Sequence, residues 1–250
     1  MKRLKLRAED GYLPDLDALE ALVTPETKII ALTNPNNPTG SVIDEARLRG
    51  IADIARRHNA WVLCDEVYRG VNQADDAMPA SMAEIYERGV AVGSMSKAFA
   101  LAGLRLGWIV ASPDLLQKVT VHRDYNTISV GMIDDHVASI ALENSDALLR
   151  RNRQIVRTNL TLLDAWVSRE PLMSWVRPTG GTVTLLNYDL DIGSYEFCRR
   201  LMDETGVLVT PGAAFEMEGT VRIGFGNGTD ALRGGLEGLS RFLAGFGNHS

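Results

Sequence analysis

The sequence predicts an α/β fold in which the mostly parallel sheet of a large domain is followed by a smaller α+β C-terminal domain. Two observations along its 250 residues predict it. From residue 28 onward, short apolar runs alternate with longer segments of helical periodicity, as they do where crossover helices join parallel strands. After Pro171, short strand-like runs surround one helical segment instead. A change of domain is therefore predicted near residue 150, which gives the ranges 1–150 and 151–250.

The elements of the first range follow from the spacing of its apolar residues. Met1–Arg7 alternates leucines with basic residues, which is the period of a half-buried strand. Lys28–Thr33 is predicted as a buried strand, and Asp44–Asn59 as a helix with one apolar and one charged face. The remaining elements are apolar strands at Ala60–Cys64, Gly89–Gly93 and Leu106–Ala111 and helices at Asp114–Asn126 and Ile133–Asn159, the second broken near 144–146.

The second range is predicted to hold short strands around a central helix. The helix is Ser194–Thr205, and a closing helix spans Asp230–Leu243. The strands are Thr182–Tyr188, Val207–Thr210 and Val221–Phe225.

Composition argues against several classes of partner. The chain has 26 Lys and Arg against 32 Asp and Glu, a formal net charge of -6, so a surface that binds a nucleic-acid backbone is not expected. No apolar run approaches the roughly 20 residues that cross a bilayer, so a membrane partner is not expected either. Cys64 and Cys198 cannot form a disulfide framework and fit a reduced, cytoplasmic setting, each as a small buried hydrophobe.

The histidines give no indication of a metal site. His58, His122, His136 and His249 lack the spacing of metal ligands, and each is predicted to lie on a helix surface or in the tail. No metal is therefore expected.

A lysine with hydroxyl and guanidinium neighbours follows the third apolar strand. Lys97 ends the run Ser94-Met95-Ser96-Lys97, and Arg105 follows eight residues later. A lysine held in a partly desolvated place at a strand end has an accessible neutral amine, which Schiff-base chemistry requires. The two serines and the arginine are suitable donors for a phosphate dianion. A solvated surface lysine is the alternative reading.

Two further groups of polar residues follow neighbouring strands. Asp65 stands at the end of an apolar strand, just before Tyr68, where its carboxylate can keep a ring nitrogen protonated or simply cap the next element. The segment Asn34–Gly40 holds two prolines and a glycine, which favour a rigid turn that aims an asparagine amide at a ligand. A plain structural turn is the alternative.

In this order, the motifs resemble those of the fold-type I pyridoxal-phosphate enzymes, in particular the class I/II aminotransferases. The resemblance extends over essentially the whole chain. It is carried by NPNNPTG at 34–40, DEVY at 65–68, SMSKAFALAGLRLGW at 94–108 and VRIGF at 221–225.

The resemblance implies roles for the residues that meet the cofactor ring. Lys97 would form a Schiff base with pyridoxal 5'-phosphate and afterwards carry the proton between the substrate Cα and the cofactor. Asp65 would pair with the protonated pyridine nitrogen. Asn37 and Tyr68 would hydrogen-bond the phenolic oxygen, and Tyr68 would count with Lys97 and Asp65 among the catalytic residues.

The resemblance also implies a phosphate site and a carboxylate site. Ser94 and Arg105 would hold the cofactor phosphate, with Ser96 as a further donor. Arg222, in the VRIGF strand, would hold the substrate α-carboxylate, with Asn37 as a second substrate-binding residue. The expected partners are therefore an amino acid and a 2-oxo acid, together with a second copy of the chain in a homodimer.

Family members carry an N-terminal arm and the first part of the large domain before the strand that Met1–Arg7 matches. The resemblance thus implies that this part is missing here, with a loop at the phosphate, an aromatic ring stacked on the pyridine and residues that reach across the dimer. Tyr12 lies in a turn-like segment and does not replace that ring. A fragment of a full enzyme, a short protein and one half of a split enzyme all remain open.

Transamination between an L-amino acid and a 2-oxo acid is the expected reaction. Elimination, replacement or cyclisation on the same cofactor, as in enzymes resembling capreomycidine synthase, is an alternative because such enzymes share their first steps. A catalytically silent fragment of the fold is the other alternative.

Overall fold

The computed structural model describes residues 1–74 and 77–246. Its first half is built on a four-stranded sheet with strand order β1-β2-β3-β4. The first three strands are parallel and the fourth is antiparallel to the third. The strands are β1 Ile29–Thr33, β2 Trp61–Asp65, β3 Gly89–Ser94 and β4 Gly107–Val110.

Three capped helices pack around this sheet. They are α1 Leu16–Leu22, α2 Glu45–Arg57 and α3 Met82–Ile85. The carboxylates of Asp15 and Asp44 accept hydrogen bonds from backbone N–H groups in the first turns of α1 and α2, and Ser81 forms a capping box with Glu84 at α3. These caps satisfy donors that a helix start leaves without partners.

Helices connect the first sheet to the second. They are α4 Pro113–Arg123, α5 Met132–Glu143 and α6 Ser145–Val167. The predicted break between α5 and α6 is confirmed at Asn144, whose side-chain amide donates to the carbonyl of Ile140 at 2.8 Å. An asparagine that bonds its own preceding turn competes with the helical backbone, which explains the interruption there.

The second sheet is antiparallel throughout, with order β5-β6-β8-β7. Its core is made by apolar side chains of both the sheet and the helices, among them the fully buried Phe197, Leu201 and Leu239. The elements are β5 Met173–Ser174, β6 Val183–Tyr188, β7 Thr210–Pro211, β8 Thr220–Gly224, α7 Ser194–Thr205 and α8 Thr229–Ala244.

Several sequence predictions are wrong in detail. Met1–Arg7 forms no strand, although Leu4 and Leu6 are half-buried as the alternation predicts, because no neighbouring strand pairs with it among the described residues. The predicted buried strand at 28–33 is an outer strand with no buried residue, and Ile29 is 57% exposed. The strand predicted at 207–210 is reduced to Thr210–Pro211. Helices α1 and α3 were not predicted.

The two sheets are joined by a contact between two glycine-containing loops. The carbonyl of Gly40 accepts hydrogen bonds from the backbone N–H groups of Thr179 and Gly180, both at 2.9 Å. Gly40 has φ +72°, and a Cβ there would lie 2.5 Å from Cβ of Pro178. Only glycine meets both conditions without strain. The loop that carries Asn37 is thereby fixed against the second half of the chain.

Candidate active site

The parallel strands deliver polar residues to one edge of the first sheet. Thr33 and Asp65 are register partners at the ends of β1 and β2, and the N–H of Asn34 donates to the carbonyl of Asp65 at 2.9 Å. The N–H of Ala98, just after β3, donates to the carbonyl of Val67 at 3.1 Å. The segments that follow β1, β2 and β3 are therefore hydrogen-bonded to one another.

The asparagines of the 34–40 loop have different roles. Asn34 is buried, and its side chain exchanges hydrogen bonds with the backbone of Ile43. Asn36 donates to the hydroxyl of Thr39 at 2.7 Å. Asn37 Oδ1 instead accepts from Arg222 at 3.0 Å. The bonds Asn34-Pro35 and Asn37-Pro38 are both cis. The loop is held internally, and its third asparagine contacts the second half of the chain.

The carboxylates of the acidic pair after β2 have separate partners. Asp65 is half-buried, and its Oδ1 accepts one hydrogen bond, from the N–H of Val67 at 3.1 Å. The carboxylate of Glu66 accepts from the hydroxyl of Ser81 at 3.1 Å and the N–H of Met82 at 2.8 Å. Burial raises the pKa of Glu66, and those hydrogen bonds oppose the rise. Glu66 therefore serves the start of α3, which leaves Asp65 as the candidate carboxylate at the strand end.

Tyr68 links the acidic and basic sides of the site. Its side chain is buried, and burial is the main reason that its pKa is raised. The positive charge of Arg222 opposes the rise, the negative charge of Asp65 adds to it, and a contact with the Thr182 hydroxyl lowers it. The phenol thus lies within electrostatic range of both charged groups, with its proton retained in the neutral range.

Arg222 lies in the central part of β8 and is held on three sides. One terminal nitrogen donates to Asn37 Oδ1 at 3.0 Å and the other to the hydroxyl of Thr210 at 3.2 Å. The guanidinium carbon is 5.0 Å from the centre of the Phe215 ring, a cation–π distance. These contacts orient the planar fork of the guanidinium before any ligand arrives.

The predicted phosphate donors lie around the end of β3. Ser94 Oγ accepts from the N–H of Ser96 at 3.0 Å, and Ser94 is the register partner of Gly107 on β4. A Cβ at Gly107 would lie 2.8 Å from the carbonyl oxygen of Gly93, so this position admits no side chain without movement. Arg105 is exposed and donates to the carbonyl of Ala102 at 2.8 Å.

Lys97 lies at the same edge but is exposed. Among the described residues no hydrogen bond or ion pair holds its Nζ. The prediction of a partly desolvated lysine is therefore wrong for this chain as it stands. Its backbone is fixed nonetheless, because the carbonyl of the next residue, Ala98, accepts from the side chain of the buried Asn152 at 2.8 Å.

The structure thus brings Asn37, Tyr68, Asp65 and Arg222 into one group, and it pairs Ser94 with Ser96. Lys97 and Arg105 share the edge without a side-chain contact to that group. Three contributors were missed from the sequence. They are Thr182, Thr210 and Phe215.

Gly180 and Gly181 lie just before β6. Gly181 has φ +73°, and its N–H donates to the carbonyl of Val71 at 2.9 Å, which makes a turn. A Cβ at Gly181 would lie 3.7 Å from Cγ of Tyr68, so this turn packs close to the phenol.

Comparisons with known proteins identify the family of the chain. The family model for aminotransferase class I and II matches residues 1–234. The chain belongs to the class I and II aminotransferases. Pyridoxal 5'-phosphate is the cofactor of this family.

Two curated proteins are similar to nearly the whole of this chain. Capreomycidine synthase from Streptomyces vinaceus is 31% identical over 95% of this chain and 61% of its own length. Arginine–pyruvate transaminase AruH from Pseudomonas aeruginosa is 30% identical over 91% of this chain and 59% of its own length. The chain therefore spans about three fifths of the length of these two relatives.

Solved aminotransferase structures share the fold. A PLP-dependent aminotransferase from Streptococcus suis superposes with a TM-score of 0.93 at 41% identity, covering 97% of this chain and 64% of that one. Aspartate aminotransferase from Thermus thermophilus with maleate gives 0.87 at 26% identity, covering 95% and 63%. The predicted α/β class and its mostly parallel first sheet are confirmed.

Both cysteines are buried and unpaired, as predicted. Burial raises the pKa of Cys198 to about 11 and raises that of Cys64 as well. In residues 1–74 and 77–246, no group of three or more His, Cys, Asp or Glu side chains is arranged to hold a metal, and His249 lies outside the described residues. None of the helices in those ranges has the length and apolar character that a bilayer crossing needs.

Proposed function

We propose that this chain binds pyridoxal 5'-phosphate through Lys97 and transfers an amino group between an L-amino acid and a 2-oxo acid. The observation that carries the proposal is the hydrogen bond of Arg222 to Asn37 beside Tyr68, a phenol that is within electrostatic range of both Arg222 and Asp65. This arrangement supports a site in which the oriented guanidinium of Arg222 binds a carboxylate, next to Asn37 and Tyr68 as hydrogen-bond donors to an aromatic ring.

The residues at the sheet edge fit that cofactor. This edge carries the half-buried carboxylate of Asp65 with one hydrogen bond, the buried neutral phenol of Tyr68 and, separately, the amine of Lys97, whose Nζ has no partner within the described chain. At Gly107 the backbone of β4 packs closely against Gly93 and Ser94, which fixes the end of β3 that carries the predicted phosphate donors. When bound, the cofactor supplies an aldehyde that condenses with an amine, releasing water, and a ring that takes up the electron pair left at the substrate Cα.

Lys97 has the role of a positioned acid and base in this proposal. Its amine would carry the proton between the substrate Cα and C4′ of the cofactor, a contribution of roughly 10² to 10⁴ in rate. Asp65 holds a proton on the ring nitrogen by its negative charge. Tyr68, whose raised pKa keeps its hydroxyl protonated, would donate a hydrogen bond to the phenolic oxygen of the cofactor.

Arg222 holds the substrate, and the residues around Ser94 hold the phosphate end of the cofactor. The guanidinium of Arg222 binds the α-carboxylate with two parallel hydrogen bonds. This contact selects which bond at Cα stands perpendicular to the ring, a positioning effect. Ser94, Ser96 and Arg105 donate to the phosphate.

Borohydride trapping tests the cofactor part of the proposal. The full chain is incubated with pyridoxal phosphate, reduced and digested, and mass spectrometry locates the added phosphopyridoxyl group. We expect the group on Lys97 and none after Lys97→Ala. Lys118→Ala, an exposed lysine on α4, is the matched control and keeps the modification. A wild-type chain left unmodified would instead favour the silent-fragment alternative.

The half-reaction decides between transamination and the second candidate, which the 31% identity with capreomycidine synthase favours. An amino acid alone converts the bound cofactor to pyridoxamine phosphate in a transaminase. An enzyme for elimination, replacement or cyclisation releases a product without that conversion. Chromatography of the released cofactor distinguishes these outcomes.

A homodimer is part of the proposal. The segment from Tyr125 to Ile133 exposes several large apolar side chains, with Tyr125 88% and Met132 87% exposed. Apolar exposure on this scale marks an interaction surface. Light scattering coupled to size exclusion is expected to give twice the mass of the 250-residue chain.

We further propose a cytoplasmic location, which the two buried thiols support, and the domain ranges 1–150 and 151–250.

A further inference from the structure

A second concave site lies between α6 and α8, away from the residues described above. The groove has a volume of about 460 Å³, within the range of small-molecule sites. Leu162 and Trp166 of α6 and Leu236 of α8 line it, and the side chains of Trp166 and Leu236 are buried. It shares no lining residue with the candidate active site.

The charged residues of this groove are mainly arginines. Arg169, Arg233 and Arg241 line it together with a single carboxylate, Glu237. Within the described part of the chain, none of the three guanidiniums is ion-paired with a carboxylate. The groove is therefore locally positive in a chain whose formal net charge is -6.

A further acid near the groove, Glu170, already has a hydrogen-bond partner. The hydroxyl of Ser240 accepts from Trp166 Nε1 at 2.9 Å and donates to the carboxylate of Glu170. This chain of hydrogen bonds fixes the indole at the floor of the groove. It also gives the Glu170 carboxylate a partner other than an arginine.

Unpaired arginines are not the rule on the neighbouring helix. On α7, Arg199 pairs with Glu196 at 2.7 Å and with Asp203 at 2.9 Å. Arg200 pairs with Glu204 at 3.2 Å. The cluster at the groove thus differs from an adjacent surface where each guanidinium has an acidic partner.

From these observations we infer that the groove between α6 and α8 binds a polyphosphate group. Guanidiniums bind phosphate oxygens through two parallel hydrogen bonds, and phosphate binds more than one such fork. Three cations facing one carboxylate favour a ligand with several negative charges. The ligand is either an inorganic polyphosphate or a small organic molecule that carries one, whose apolar part would contact Leu162 and Leu236.

Calorimetric titration of the full chain with inorganic tripolyphosphate and, separately, with adenosine triphosphate tests the inference. We expect one site per chain, with affinity that falls as salt rises because the charges are partly exposed. The double change Arg233→Gln and Arg241→Gln is expected to weaken binding at least tenfold. Tighter binding of the nucleotide identifies an organic ligand, and tighter binding of tripolyphosphate an inorganic one.

Matched variants separate this groove from other anion sites. Arg150 is an exposed arginine of α6 that does not line the groove, so Arg150→Gln is expected to leave binding unchanged. Arg105→Gln, at the predicted cofactor phosphate site, is expected to leave it unchanged as well. Binding that is lost in Arg105→Gln but retained in the double variant would overturn the inference, as would the absence of binding to the wild-type chain.

A gain of affinity provides a readout that misfolding cannot imitate. Glu237→Gln removes the one carboxylate that lines the groove and would repel an anion. We expect this variant to bind tripolyphosphate several-fold more tightly than the wild type, with unchanged thermal unfolding. Equal or weaker binding by Glu237→Gln would contradict an anion site at this position.

Discussion

Arg222 donates a hydrogen bond of 3.0 Å to Asn37, a residue 185 positions earlier in the chain, and this bond connects the two sheets. The guanidinium also contacts Thr210 and the Phe215 ring, so its position is determined by both halves of the molecule. Recognition of an α-carboxylate in the proposed reaction therefore depends on how the sheets are joined.

The first prediction concerns this arginine. Arg222→Lys keeps the charge but loses the planar fork, and a lost charge-assisted hydrogen bond is worth about 1.5–3 kcal/mol. We expect the KM for the amino acid to rise about 10- to 100-fold, with the affinity for pyridoxal phosphate unchanged. Steady-state kinetics and a cofactor titration measure the two quantities. Thr210→Val, which removes one orienting partner, should raise KM less. A large loss of cofactor affinity in Arg222→Lys would contradict the carboxylate role.

The second prediction concerns the glycine that joins the sheets. Gly40→Ala combines φ +72° with a Cβ 2.5 Å from Pro178 and 2.8 Å from the carbonyl oxygen of Val183. A strained conformation alone costs about 1–3 kcal/mol, and the steric overlap adds to it. Gly219→Ala is the matched control, because φ is +78° there with no atom within 4 Å. Urea unfolding should show a larger loss of stability for Gly40→Ala, and equal losses would rule out the steric part of the argument.

The third prediction concerns Asn159, a buried residue of α6. Its amide donates to the carbonyls of Phe225 at 2.9 Å and Asn227 at 2.7 Å, and its Oδ1 accepts from the Thr229 hydroxyl at 2.8 Å. Asn159→Ala leaves the two carbonyls and the Thr229 hydroxyl without this partner. Each of these groups that stays buried lowers the free energy of unfolding by about 1–3 kcal/mol. We expect chemical unfolding to show a loss of several kcal/mol, whereas Asn126→Ala, at an exposed position, should change stability little. A loss below 1 kcal/mol would mean that water replaces the lost bonds.

The fourth prediction is a loss of stability at alkaline pH. Burial raises the pKa of Tyr188 to about 12, and the charge of Glu218 adds to the rise. An unfolded tyrosine ionises near pH 10, so the contribution of Tyr188 is complete below pH 10 and is lost as pH rises toward 12. Tyr188→Phe should therefore flatten the decline of unfolding free energy between those values. Tyr125→Phe, at a residue 88% exposed, should leave the decline as it is. If the wild type and both variants lose unfolding free energy with pH at the same rate, Tyr188 is not the group responsible for the decline.

Much of the site could be predicted because its residues stand in short motifs at strand ends. Asp65 is the last residue of β2 and Asn37 lies in the loop that follows β1, and the parallel arrangement of the two strands brings them to one edge. Thr210 and Phe215 could not be predicted in this way. They are common residue types whose role comes only from the antiparallel pairing that puts Thr210 beside Arg222.

The burial of the outer strands also could not be predicted. The apolar run at β1 indicates a strand, and the structure has one, but an apolar run does not show whether a sheet face is covered. Ile29 at one edge and Val110 at the other are 57% and 49% exposed. The exposure of Lys97 could not be predicted either, because the residues that flank Lys97 in sequence do not determine whether solvent reaches the end of β3.

The bonds from Thr179 and Gly180 to the carbonyl of Gly40 limit how this protein can be recombined with its relatives. The two halves are not interchangeable modules, since a graft at the α5–α6 break would pair one parent's asparagine loop with the other parent's glycine turn. Chimeras should keep amino-acid selectivity only when residues 34–43 and 177–183 come from the same parent.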